Sequence, residues 1–251
     1  MIWIIGGTRD SRILVEKLVE FTVDIVVSIT TPYGKKLASK HGVSILDKRL
    51  NNKEKKEFIE KNRIDMIIDT SHPYAQNVSR TMMDIANECQ IEYIRFERPS
   101  LSYDGAKSFD YIDDLVEYIN LTCKEGNILS TLGSNNLEDL KQIDNLDRLI
   151  IRILPVIVSV QKAESLGYMA KNIIGAQGPF SEAFNKAMMQ NYNIKYLLTK
   201  ESGAEGGEME KVMAARECGV EIIVLKRPKI SYINVVDNID DILSLVKSKK
   251  G

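Results

Sequence analysis

The chain has 251 residues, 44% of them hydrophobic, enough to build one large domain or two of roughly 100–125 residues each. A formal net charge of −1 without any long basic tract argues against a nucleic-acid partner, and three scattered cysteines (Cys89, Cys123, Cys218) with no CxxC pair or zinc spacing argue against a disulfide frame or a zinc site. The start has no basic n-region, Gly6-Gly7 breaks its apolar run, and no stretch nears the roughly 20 apolar residues of a membrane span, so a cytoplasmic chain without signal peptide or membrane segment is expected.

The opening, Met1-Ile-Trp-Ile-Ile-Gly-Gly-Thr-Arg-Asp10, reads as a buried strand, a glycine turn and a helix start. Strands are expected at Ile2–Ile5, Val23–Ile29, Val43–Leu46, Met66–Asp69 and Ile91–Phe96, with helices near Asp10–Glu20, Tyr33–Lys40, Asn52–Asn62 and Ala75–Cys89. In the first helix Ile13, Leu14, Leu18 and Phe21 recur at three- and four-residue spacing and make one buried stripe. Strands that are apolar throughout and separated by such helices imply a parallel sheet covered on both faces.

The pattern then restarts. Strands are expected at Phe109–Ile112, Asn127–Ser130, Leu149–Leu154, Lys171–Ile174, Lys195–Thr199 and Glu221–Leu225. Helices are expected near Asp113–Cys123, Asn135–Ile143, Val158–Ser165, Ser181–Gln190, Gly206–Cys218 and Asn238–Lys247. The segment Glu97–Gly105, with Pro99 and Gly105 as breakers, is the natural linker. The reading is therefore α/β: two Rossmann-like domains, 1–100 and 101–251, each a parallel sheet flanked by helices, with a cleft between them.

Ligands of such sheets bind at the carboxyl ends of the strands, so the polar groups there are the candidates. Gly6, Gly7 and Thr8 form a turn that lets backbone N–H groups approach a phosphate, although the full GxGxxG fingerprint is absent. The second strand ends in Ser28-Ile-Thr-Thr-Pro-Tyr-Gly-Lys-Lys36; here Thr30 and Thr31, with lysines and no acidic residue, suit a phosphorylated ribose or simply a solvated loop. Asp69-Thr-Ser-His-Pro-Tyr74 gathers several polar groups, and Pro73 keeps His72 out of helical geometry. His72 is a candidate proton donor near neutral pH. Arg95-Phe-Glu-Arg98 reads equally as an ion-pair network or as a fork for carboxylates.

In the second half, Thr131-Leu-Gly133-Ser134 again follows a strand, Arg152 sits at a strand end, and Gln177-Gly-Pro-Phe180 leads into a helix carrying Asn185. The loop Thr199-Lys-Glu-Ser-Gly-Ala-Glu-Gly-Gly207 offers Lys200, Ser202, Gly203, Gly206 and Gly207 as an anion cradle ahead of a helix containing Lys211. HExxH and GxSxG are absent, so a zinc protease and an α/β-hydrolase are set aside. Tyr103/Lys107 and Tyr196/Lys200 have the spacing of a short-chain dehydrogenase pair, but neither pair shares a helix face.

Together these motifs, in this order, resemble the precorrin-6A reductase family of cobalamin biosynthesis. The residues that carry the resemblance are Gly6-Gly7-Thr8, His72-Pro73-Tyr74-Ala75, Arg95-x-Glu97-Arg98-Pro99, Thr131-x-Gly133-Ser134, Arg152-x-Leu154-Pro155, Gly178-Pro179-Phe180, Lys200-x-Ser202-Gly203 with Gly206-Gly207, and Arg227-Pro228. Asp10, Thr70-Ser71 and Leu132 depart mildly from the family pattern. The resemblance implies an NAD(P)H-dependent oxidoreductase. It would transfer hydride from NADPH or NADH to a double bond of precorrin-6A or its cobalt complex, and any metal would arrive with the substrate.

The implied cofactor residues are Gly6, Gly7, Thr8, Thr30, Thr31, Thr131, Gly133 and Ser134. The implied catalytic residues are His72 and Tyr74, and the implied substrate residues are Arg95, Arg98, Arg152, Lys200, Ser202, Gly203, Gly206 and Gly207. A lysine-, isoleucine- and asparagine-rich chain fits the cobalt-first route. The alternatives are a non-catalytic nucleotide or tetrapyrrole binder, and a Rossmann-type transferase such as a methyltransferase. The missing acid after the second strand weighs against the latter.

Overall fold

The structure, a computed structural model, describes residues 1–21, 24–29, 42–99, 104–201 and 207–250. They divide into two compact units: Met1–Pro99 with Pro228–Gly251, and Ser100–Arg227. The expected first boundary, near residue 100, agrees with this division. The expected second domain, 101–251, does not: residues from Pro228 onward pack on the first unit.

In the first unit the strands are β1 (Ile2–Ile5), β2 (Ile25–Ser28), β3 (Ser44–Leu46), β4 (Met66–Asp69) and β5 (Glu92–Phe96). All pair in parallel, in the order β3-β2-β1-β4-β5. Helices α1 (Arg9–Leu18), α2 (Asn52–Asn62) and α3 (Gln76–Glu88) lie between them in sequence. Because side chains alternate along a strand, Ile2, Ile4, Met66 and Ile68 go to one face, against Leu14 and Leu18 of α1. Trp3, Ile5 and Ile67 go to the other, against Ile59, Met82 and Ile85 of α2 and α3. Leu14 and Leu18 are fully buried, each contributing about 1.5–3 kcal/mol. Helix starts follow local chemistry: Thr8 and Ser11 close a capping box on α1, and Asn51 and Glu54 close one on α2.

The second unit repeats the plan. Its strands are β6 (Lys107–Phe109), β7 (Asn127–Ser130), β8 (Leu149–Ile153), β9 (Ile173–Gly175), β10 (Ile194–Lys200) and β11 (Glu221–Leu225), in the order β9-β8-β7-β10-β11-β6. The helices are α4 (Ile112–Thr122), α5 (Leu137–Leu140), α6 (Ile157–Ser165), α7 (Glu182–Asn191) and α8 (Glu208–Glu217). Leu129, Ile150, Leu197, Ile222 and Val224 pack there against Met188, Met189, Val212 and Ala215.

Each sheet takes its sixth strand from outside the β1–β5 pattern. In the first sheet it is β12 (Val235–Val236), which pairs with β5 and is followed by α9 (Ile239–Lys250). Ile242 and Val246 of α9 join the α1 face of the core. In the second sheet the sixth strand is β6, which precedes β7 in the chain and pairs with β11. The expected strand Phe109–Ile112 is therefore corrected to Lys107–Phe109, since Ile112 already begins α4. The expected strand Lys171–Ile174 begins as a short 3-10 turn (Ala170–Asn172) and becomes β9 only at Ile173. The expected helix Tyr33–Lys40 lies outside the described residues.

Candidate active site

In the first sheet the strand order reverses between β1 and β4, and their loops leave in opposite directions to open a crevice at the carboxyl edge. One lip is Gly6-Gly7-Thr8. A Cβ at Gly6 would stand 2.8 Å from Val27 Cγ1 and 3.2 Å from the Ser28 carbonyl, so only glycine lets the turn lie this close to β2. Gly7 has φ +104° and open space around it, the geometry that admits a bulky anion to the helix start. Thr8 Oγ1 accepts from the Ser11 amide and donates to the Thr70 carbonyl at 2.9 Å, tying the two lips together.

The other lip is Thr70-Ser71-His72. Thr70 extends β4 by giving both its amide and its hydroxyl to the Ile5 carbonyl, at 3.1 and 2.8 Å. His72 is exposed beyond it. Its Nδ1 accepts the Tyr74 amide at 3.3 Å, which places the proton of the neutral ring on Nε2. The Tyr74 ring lies 5.7 Å from the imidazole.

Beneath this loop is a buried network. Arg95 has no exposed surface, and neither does Asp69. Arg95 Nη1 meets Asp69 Oδ1 at 3.1 Å, the Ser71 carbonyl at 2.9 Å and Ser71 Oγ at 3.1 Å, while Nε and Nη2 both meet Glu97 at 2.8 Å. Tyr93 donates to Asp69 Oδ2 at 2.7 Å, and Tyr232 lays its ring 5.1 Å from the Arg95 guanidinium. Burial works against the Arg95 charge, but Asp69 and Glu97 more than offset it and hold the guanidinium above its usual range. Burial, reinforced by the Asp69 charge, pushes the Tyr93 phenol far up. Arg95 thus lies within a buried ion-pair network with Asp69 and Glu97, and its contacts with Ser71 brace the loop that carries His72. Arg98 is also paired, through Nε and Nη2 to Asp10, in a largely buried bridge. Asp10 lies in the first turn of α1, and Arg98 neutralises a carboxylate that would otherwise repel an anion there.

The second unit carries a comparable edge between β7 and β10. The Thr131 amide and hydroxyl both reach the Leu198 carbonyl, at 2.8 and 3.0 Å, as Thr70 reaches Ile5 in the first unit. Gly133 has φ +82° with nothing near its Cβ position, and Ser134 Oγ lies 3.1 Å from Ser159 Oγ of α6. Lys200 reaches the Leu132 carbonyl at 3.3 Å. Arg152, nearly buried, gives Nη1 to Asn185 Oδ1 at 2.8 Å and stands 4.6 Å over the Phe180 ring. Gly207, at φ +66°, approaches Pro179 so closely that a Cβ would lie 3.2 Å from its ring.

Lys211, also buried, donates to Thr199 Oγ1 at 3.1 Å. Burial pulls Arg152 down to about 10 and lowers Lys200. Burial, joined by repulsion from Arg152, brings Lys211 to about 8. Three basic side chains, Arg152, Lys200 and Lys211, therefore lie in the part of the second unit that carries this edge, each with its charged form disfavoured by burial.

The candidates thus fall into two groups. Gly6, Gly7, Thr8, His72 and Tyr74 share the edge of the first sheet; Thr131, Gly133, Ser134, Arg152, Lys200 and Gly207 share that of the second. Thr30, Thr31, Ser202, Gly203 and Gly206 lie outside the described residues. Sequence reasoning left three partners unassigned. Asp10 pairs with Arg98 and Tyr232 with Arg95, both across long sequence separations, while Lys211 carried a visible signal as a cation one helix turn inside a glycine loop.

A family model described as precorrin-6x reductase CbiJ/CobK matches residues 1–247. The chain belongs to that family. A cobalt-precorrin-6A reductase of Methanocaldococcus jannaschii is 34% identical over 249 residues, covering 98% of each chain. One of Priestia megaterium is 32% identical, covering 97% of this chain and 96% of the other. A solved structure titled CobK precorrin-6A reductase superposes with TM-score 0.77 at 16% identity, over 98% of this chain and 96% of that one, and so shares the fold. The family is one of oxidoreductases of cobalamin biosynthesis, and its chemistry on this fold uses a nicotinamide cofactor. Among the described residues no helix is long and apolar enough to cross a membrane, and no group of side chains is arranged to hold a metal ion.

Proposed function

We propose that this protein is a cobalt-precorrin-6A reductase that takes hydride from NADPH. The observation that carries this reading is the whole-length family match, together with relatives named for the cobalt substrate at 29–34% identity, against 24–27% for those named for the metal-free one. The cofactor, when bound, supplies the hydride. The chain's own part is to bind, orient and exclude water, since hydride transfer needs no protein nucleophile.

Gly6, Gly7 and Thr8 suit the cofactor's phosphates: a Cβ at Gly7 would occupy the open space where an anion meets the start of α1. The segment that follows β2 in sequence has Thr30, Thr31, Lys35 and Lys36 and no carboxylate between Ser28 and Lys36, which favours the 2′-phosphorylated cofactor. Arg152 and Lys200 supply charge for the carboxylates that fringe the macrocycle, where guanidinium–carboxylate bonds are strong. His72 holds a proton on Nε2 at the crevice and delivers it as hydride arrives; Tyr74 orients the ring. The cobalt ion is part of the substrate.

The test is an absorbance assay. The protein should consume reduced nicotinamide only when cobalt-precorrin-6A is present, with a lower KM for NADPH than for NADH. Cofactor binding without consumption would leave the binding-module reading, and a response to S-adenosylmethionine would leave the transferase.

A further inference from the structure

Residues 154–158, Leu-Pro-Val-Ile-Val, follow β8 and are all exposed, with Ile157 at 75% and Val158 at 76%. Single exposed apolar residues are ordinary, but a contiguous run marks a binding surface. The run is not a helix face awaiting its own core: α6 meets the sheet through Ser159 and Ala163, which are buried, while Ile157 and Val158 point elsewhere. Nor is it loose. Val156 N bonds the Leu154 carbonyl at 2.8 Å, Pro155 packs 3.6 Å from the Cβ position of Gly175, and Ser159 meets Ser134.

Arg152 stands two residues before this strip. Its only hydrogen-bond partners are a neutral amide and a thioether, and it forms no ion pair with a carboxylate among the described residues. A nearly buried cation without an opposing charge is costly unless an anion arrives from outside.

We propose that the strip Leu154–Val158 seats one apolar face of the tetrapyrrole ring, while Arg152 and Lys200, near the carboxyl ends of β8 and β10 at the same edge of the sheet, take carboxylate arms of the same molecule. This rests on the reading of the chain as a tetrapyrrole reductase and names where that substrate lies. Charge complementarity selects this occupant. A polycarboxylate disc matches an apolar strip that shares its sheet edge with these two cations, whereas a second copy of the chain would bring the same cations to the contact.

The test uses the full chain with Ile157→Glu and Val158→Glu. Both sites are exposed in the first turn of a helix, where an acidic side chain is tolerated. Each variant should raise KM for cobalt-precorrin-6A about tenfold or more and leave KM for the nicotinamide unchanged. Leu121→Glu, an equally exposed apolar site on α4, should change neither. A direct titration with the polycarboxylate porphyrin uroporphyrin, read by its fluorescence, should show the same loss of binding in the two strip variants.

An unchanged macrocycle KM in both strip variants overturns the proposal, and so does size exclusion that finds the wild type dimeric and the strip variants monomeric, which would assign the strip to a second copy. If the wild type fails to oxidise nicotinamide with cobalt-precorrin-6A, the reductase reading falls. The titration then still decides the strip: strip-dependent porphyrin binding supports it, and wild-type binding that is absent or insensitive to the variants overturns it.

Discussion

Replacing Arg95 by methionine keeps much of the side chain's length and removes its charge. In the wild type Asp69 is held by Arg95 at 3.1 Å, by the Tyr93 hydroxyl at 2.7 Å and by the Ser71 amide at 2.9 Å. The variant leaves this carboxylate buried with the last two alone, and Glu97 and the Ser71 carbonyl each lose a charged partner. Breaking one side of a buried ion pair costs about 3–5 kcal/mol. With a urea dependence of about 1–3 kcal/mol per molar, the unfolding midpoint should fall by on the order of 2 M. The chain's one tryptophan, Trp3, is buried in β1 and donates to Ser28 Oγ at 2.7 Å, so its fluorescence reports the first unit directly. The double variant Arg95→Met/Asp69→Asn should recover part of the loss, because the orphaned charge is gone. If Arg95→Met unfolds within about 1 kcal/mol of wild type while KM for the macrocycle rises, the guanidinium faces substrate and the internal role assigned to it is wrong.

Gly6→Ala should impair NADPH binding and cost about 1–3 kcal/mol by overpacking against Val27; isothermal titration and a thermal melt read the two effects. Arg98→Met should raise KM for the nicotinamide about tenfold without moving that for the macrocycle, since Asp10 regains an uncompensated charge beside the glycine turn, and Arg98→Lys should restore part of it. His72→Ala should lower kcat about a hundredfold with little change in either KM; a variant that keeps full turnover removes the proton-donor role. Lys211 has a folded-state value near 8 against 10.5 for the free side chain, so between those values the unfolded chain binds more protons and stability rises with pH. Lys211→Met should abolish that rise in urea titrations from pH 8 to 10.5 and, if anything, be the more stable protein at pH 7.

The elements governed by local pattern were legible in the sequence. Strands β1, β4, β7 and β11 and helix α2 begin and end where their apolar runs and caps say they should. What escaped depends on distant pairing. β12 is two residues long, with an exposed Val235, and nothing local marks it as a strand. Its bonds, Arg95 N to the Asn234 carbonyl and Glu97 N to that of Val236, bridge segments far apart in sequence. For the same reason the boundary at Pro228 could not be read: Lys226-Arg227-Pro228 looks like any strand end.

At the site, residue types identified the loops but not the direction of the side chains. Arg95 and Arg152 both sit on strands just short of their carboxyl ends. One is surrounded by Asp69 and Glu97, the other by Asn185 and Phe180. Only the three-dimensional neighbours separate a structural cation from one with charge left to offer.

The route of the polypeptide also bears on how the molecule is made. Residues 228–250, which supply the edge strand and a core-facing helix to the first sheet, leave the ribosome after the whole of the other lobe. During translation the inserted lobe can therefore close first, while its predecessor waits as an unfinished five-stranded layer with a bare edge beside Arg95. That interval exposes unpaired backbone of the kind that invites aggregation, and it makes the tail's arrival the last step in shaping the histidine loop.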